Sequence, residues 1–142
     1  MLEAPKPFIP EPMARRGDVI NTVHVAHKGR YVNAPSLHLI ERINMKGEIT
    51  GAISGKLLLE INYLPGQRVI EPHAFGRGAD GQLLLRAYQV AGASASGEHE
   101  NWKLFRLDRV TGLRVTDDPF DGPREGYKRG DKAMKGGIIS EL

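Results

Sequence analysis

From Lys56 onward the hydrophobic residues stop recurring at helical spacing and begin to alternate, in short runs cut by turn residues. Leu57, Leu59, Ile61 and Tyr63 fall on one face of an extended segment, and Leu58, Glu60 and Asn62 on the other, the period of two that a half-buried strand needs. Leu64-Pro65-Gly66-Gln67 predicts a tight turn, with Pro and Gly at its two centres. A second strand is expected over Arg68–Phe75, where Pro72 supplies no N–H and so marks an edge or a bulge. Leu83–Val90, Trp102–Val110 and Leu113–Thr116 follow, separated by the loop Gly76–Gly81, the polar stretch Ala91–Asn101 and Thr111-Gly112. Short strands on closely spaced turns predict a mainly β chain curled into a small sheet or barrel.

What precedes the strands is different. Ser36 is a plausible N-cap, and Leu37, Ile40 and Ile43 recur at helical spacing over 37–45. Gly47 interrupts that pattern. Ile49, Ala52 and Ile53 then predict a second helical turn or two, stopped by Gly55. Upstream, Pro5, Pro7, Pro10 and Pro12 make residues 1–18 extended. Residues 19–32 read either as a strand formed on docking or as an ordered linker. The expected layout is an extended N-terminal arm over 1–35, a mainly β domain with a short helical lead-in over 36–120, and a flexible, Gly-rich basic tail over 121–142, where Ile138 and Ile139 are the available anchors.

Composition narrows the function classes. A chain of 142 residues has room for one domain of ordinary size. It has no cysteine, so disulfides, thiolate metal sites and thiol nucleophiles are excluded. No apolar run reaches the roughly 18 residues of a membrane span, and MLEAPKPFIPEP has no basic segment leading into an apolar one; the expectation is a cytoplasmic protein without membrane contact. The net charge of +3 lies in the ends, because 36–120 holds ten Lys/Arg against ten Asp/Glu. Any basic site on the domain must therefore come from sorting charges onto one face.

Several segments, in order, resemble the WYL domain family. Ala52-Ile53 with Leu57–Tyr63 resembles the family's opening helix and Tyr-ended strand. Arg68-Val69-Ile70-Glu71-Pro72 resembles its Arg-x-x-x-Pro strand, Leu83-Leu84-Leu85-Arg86-Ala87-Tyr88 its naming strand, Lys103–Val110 its basic-x-Phe-x-Leu-x-Arg-Ile segment, and Asp118-Pro119-Phe120 its closing element. The likeness covers about residues 49–120. Of the naming motif only the last letter is kept, Lys103 stands where Arg is usual, and no helix-turn-helix precedes the domain. The resemblance implies a small SH3-like/Sm-like β-barrel that binds ligands, single-stranded nucleic acid among them, in a regulatory setting.

Arg68, Lys103, Arg106 and Arg109, with Tyr63 as a stacking ring, are the candidate nucleic-acid or anion contacts; Arg86 belongs to the same basic set. Guanidinium groups bind phosphate oxygens in pairs. Strict alternation over 102–110 puts Lys103 and Arg109 on one face and Arg106 on the other, so a bulge or bend is needed to gather them. The alternative is that these are solvated charges partnered by Glu60, Glu71 and Asp108. Tyr88 and Trp102 are further possible platforms for bases, with packing as the competing reading. Lys128-Arg129 in the tail is the fallback anion site. His73, directly after Pro72, is a candidate switch or phosphate donor, whereas His24, His27 and His38 make a poor metal set. GRGADG joins two strands, where a phosphate-cradling loop opens a helix. No nucleophile elbow is present, and no cofactor is implied, so the expectation is a non-enzymatic module. Its expected partners are single-stranded DNA or RNA or a phosphorylated ligand; the alternatives are an assembly subunit gripping a larger protein complex through its arms, and a small-molecule sensor.

Overall fold

The computed structural model describes the backbone of residues 22–27 and 30–142, with the side chains of Ser36, Leu37 and residues 39–142. The arm expected over residues 1–18 lies outside the described residues. Two compact units divide at Met45/Lys46. In the first, strands β1 (Thr22–His27) and β2 (Arg30–Pro35) pair as an antiparallel hairpin. Part of the expected extended arm is therefore strand, and Asn33–Pro35 belongs to β2.

Helix α1 (Leu37–Gly55) starts on Ser36, whose Oγ accepts the Leu39 N–H at 3.1 Å, a side-chain N-cap. The expected break at Gly47 does not occur: α1 is continuous through it. A glycine inside a helix costs only about 1 kcal/mol, and complete burial of Ile49, Ala52 and Ile53 outweighs that. The last turn closes with the Lys56 N–H on the Ile53 carbonyl, and Lys56 takes the left-handed conformation at φ 56°.

The second unit is mainly β, as expected. Strands β3 (Leu57–Tyr63), β4 (Gly66–Arg77), β5 (Leu83–Gly92), β6 (Asn101–Arg106), β7 (Gly112–Pro119) and β8 (Gly137–Glu141) form one antiparallel sheet in the order β6-β5-β4-β3-β7, with β8 added to β4. The β3–β4 loop is tighter than expected, because Gly66 already pairs with Tyr63; the Leu64–Pro65 peptide within it is cis. The bulge expected near Pro72 is present: Pro72 faces Ala87 and Ala74 faces Arg86, leaving His73 as the extra residue. β4 is shared along its length. Its first half pairs with β3, and Ala74–Arg77 pairs with β8.

Two further expectations are corrected. The strand expected over 102–110 stops at Arg106, where Leu107–Arg109 forms a 3₁₀ turn that buries Leu107 and closes with the Val110 N–H on the Leu107 carbonyl. Period-two parity therefore does not extend to Arg109. The expected flexible tail is tied into the sheet. Met134 packs on Ala74 and Leu84, and β8 lies so close to β4 that a β-carbon on Gly76 would sit 2.5 Å from the Gly137 oxygen. A short strand can hold there because Gly76 lets the backbones approach.

The core runs through Ile49 and Ile53 of α1, Leu59 and Ile61 of β3, Ile70 and Phe75 of β4, Leu85 of β5 and Phe105 of β6, all at most 1% exposed. Among the described residues no helix is long and apolar enough to cross a membrane.

Candidate anion-binding site

The basic set anticipated on the strands does not gather at one mouth. Arg68 is only 4% exposed. Its Nε donates to the Tyr63 carbonyl (3.0 Å), one Nη to the Leu64 carbonyl (2.5 Å) and the other to Gln89 Oε1 (3.3 Å). Its guanidinium carbon lies 5.1 Å from the Tyr63 ring centroid and 5.6 Å from that of Phe105. Burial draws the Arg68 pKa down, partly countered by Tyr63. Arg68 thus holds the β3–β4 turn to the sheet, and its bonds are made to the protein itself. Tyr63 meets Phe105 edge-on at 4.9 Å and accepts the Arg106 N–H on its hydroxyl.

The other three members face outward in different company. Lys103 Nζ donates to Ser94 and Ser96 of the β5–β6 loop, both at 3.1 Å. Arg106 pairs bidentately with Asp108 at 2.7 and 3.2 Å, the solvated-charge alternative. Arg109 is exposed on the 3₁₀ turn and makes no ion pair among the described residues.

A second group of cations lies around an open surface hollow. Arg86 of β5, Trp102 of β6 and the turn holding Tyr127, Lys128, Arg129, Asp131 and Lys132 line this hollow of about 480 Å³. Each is positioned for a physical reason. Arg86 donates to Asp131 at 2.6 and 3.2 Å, and these bonds hold the Asp131 carboxyl below its usual pKa against the cost of its burial. Arg129 pairs with Glu141 of β8 at 3.1 Å. Lys128 and Lys132 are exposed and carry no ion pair among the described residues. Trp102 donates Nε1–H to the Glu125 carbonyl at 3.4 Å and lies near-parallel to Tyr127, at 6.2 Å and 23°.

Behind the two rings sits His73, fully buried. Nearby, Arg124 makes a bidentate pair with Glu71, both contacts 2.9 Å, and lies 4.0 Å above the Tyr88 ring. Strand parity found none of these long-range partners. The signals in the sequence were Arg86 in the basic set, the Lys128-Arg129 pair, the aromatic Trp102, and the histidine beside Pro72. Positive charge around a concave surface with an aromatic wall is the chemistry that holds a phosphate next to a flat ring. Comparison of the chain with protein-family models, with curated proteins and with solved structures finds no match.

Proposed function

We propose that this chain is a ligand-binding regulatory module that takes single-stranded nucleic acid, or a phosphorylated ligand of the same chemistry, in the hollow between β5, β6 and the 126–132 turn. One observation carries the reading: Lys128 and Lys132, without protein partners among the described residues, stand beside Arg86, Arg129 and Trp102 around a space of about 480 Å³. Two unneutralised ammonium groups favour an anion. The Trp102 face offers stacking that tolerates any base, a contribution of about 1–3 kcal/mol per base. Lys103, held by Ser94 and Ser96, and Arg109 on the 3₁₀ turn are further cations outside the hollow. The WYL resemblance implies the same ligand class and supports an SH3-like barrel; the shared strand β4, bridging β3 and β8, agrees with such curling.

The test is fluorescence anisotropy with labelled single-stranded DNA and RNA at several salt concentrations. Binding should fall steeply with salt, with a slope of about 0.7 per phosphate neutralised. Absence of binding near physiological salt removes this reading. A second reading, an interaction subunit, is favoured by Leu37, Ile40 and Ile43 of α1, which are 50%, 39% and 56% exposed. It becomes the leading one if oligonucleotides do not bind.

A further inference from the structure

His73 owes its position to the β4 bulge, which aims its ring at the segment that follows β7. Both ring nitrogens are engaged. Nδ1 lies 2.8 Å from the Glu71 carbonyl, which can only accept, so Nδ1 carries the proton. Nε2 lies 3.0 Å from the Arg124 backbone N–H, which can only donate, so Nε2 is the bare acceptor. The ring is therefore the neutral Nδ1–H tautomer. Its walls are Trp102 edge-on at 4.7 Å, Phe120 stacked at 5.6 Å and Tyr127 at 5.0 Å. The His73 carbonyl accepts the Leu142 N–H at 2.9 Å and the Tyr127 hydroxyl at 3.3 Å. One residue thus ties down Arg124, Tyr127 and Leu142 together.

The charged groups facing His73 cannot rescue an imidazolium. Glu71, on its own strand, has both carboxylate oxygens on the Arg124 guanidinium. Arg124 brings like charge, and Tyr127 adds a neutral hydroxyl. A proton on Nε2 would point one N–H at another.

We propose that His73 is a proton-operated latch on the hollow: when Nε2 is protonated, the Arg124 N–H loses its acceptor, the 124–130 turn is released, and ligand held against Trp102 and Lys128 is let go. The ligand half of this inference rests on the proposed anion site; the latch itself does not. Burial, opposed by the Glu71 carbonyl and carboxylate and reinforced by the Arg124 charge, keeps the His73 pKa below its ordinary value. The folded state thus binds fewer protons than the unfolded one. The latch is fully closed above the ordinary histidine value of about 6.5 and opens as pH falls through the lower folded value. The expected sign is unusual, because a phosphate site normally tightens in acid as histidines gain charge.

Trp102 is the only tryptophan in the chain and touches the His73 ring, so its emission reports the latch without any ligand. On lowering the pH of the full chain from about 8 to about 5, the range across which histidines titrate, emission should be quenched in one transition below about 6.5. That transition should persist when His24, His27, His38 and His99 are all changed to Gln, and vanish in His73→Phe. Should that variant not fold, ¹⁵N spectra of the wild-type imidazole read the Nδ1–H tautomer and its titration directly. Over the same range the amide exchange protection of 124–142 should drop, and oligonucleotide affinity at constant ionic strength should weaken by up to about tenfold per pH unit, the limit for one linked proton. Emission and exchange that stay flat in the folded chain overturn the latch. A titration that leaves affinity unchanged, or tightens it, overturns the coupling. Failure of oligonucleotides to bind at any pH removes the anion site alone, and emission and exchange then decide the latch.

Discussion

Arginine meets aromatic rings in two places in this sheet, with opposite outcomes. At the start of β4, Arg68 lies against both Tyr63 and Phe105, and its donors go to two backbone carbonyls and an amide oxygen of the same fold. Beside the β4 bulge, Arg124 covers Tyr88 while Arg86, Lys128 and Lys132 border an open hollow next to Trp102. In the first cluster the cation is consumed by the fold; in the second the arginines are likewise paired, Arg124 with Glu71 and Arg86 with Asp131, and the ammonium groups of Lys128 and Lys132 are what the described residues leave unpartnered. Residual bonding capacity therefore separates a structural cation from one available to a ligand. The buried charge is tolerated because its hydrogen bonds replace those lost with water.

The largest expected effect collapses the closed cluster. Phe105→Ala, at a site 1% exposed, should destabilise the fold by about 3 kcal/mol or more; an unchanged thermal midpoint would show that the ring is not packed. Next is Arg68→Met, which keeps the volume but strands the Tyr63 and Leu64 carbonyls. A loss of roughly 1–3 kcal/mol in denaturant unfolding is expected, with oligonucleotide affinity of the folded protein unaltered. Loss of affinity at full stability would invert the contrast and make Arg68 the contact.

In the open cluster the two readouts should exchange places. Lys128→Ala with Lys132→Ala should leave stability within about 0.5 kcal/mol while flattening the salt slope by about 1.4, two phosphates on a single strand. Full retention of wild-type binding would move the site to Lys103 and Arg109. The smallest effect is expected for Arg106→Ala: its partner Asp108 is as exposed as itself, so melting and binding should both match the wild type within error, and a clear loss of binding would place the anion on the 3₁₀ turn.

The elements that depend on near neighbours were legible. Period-two alternation located β3, β5 and β6, the hydroxyl of Ser36 marked the start of α1, and the missing N–H of Pro72 marked the bulge. What failed depended on distant partners. Gly47 looked like a break because its neighbours in sequence say nothing of how deeply Ile49 and Ile53 are buried. Gly137–Glu141 is too short and too rich in flanking glycine to announce a strand, and it becomes one only against Ala74–Arg77. Charge patterning could nominate Arg68 and Arg86 but not their directions, since the first turns toward the carbonyls of its own hairpin and the second meets Asp131 across a long stretch of chain. Lys128-Arg129 was visible as basic, and only the closing of the chain onto β4 made it concave.

The β4–β8 pairing also has a consequence for the order of assembly. β3–β4, β4–β5 and β5–β6 join strands that follow one another in the chain, so these pairings can form early, whereas β3–β7 and β4–β8 each join strands far apart in sequence. β8 closes a long loop, and its contacts must offset the entropy of that closure at once. Without Gly137–Glu141 the Gly76–Arg77 end of β4 would be left as a bare edge open to a neighbour's strand, so the same closure that ties down the segment beside the hollow also guards the sheet.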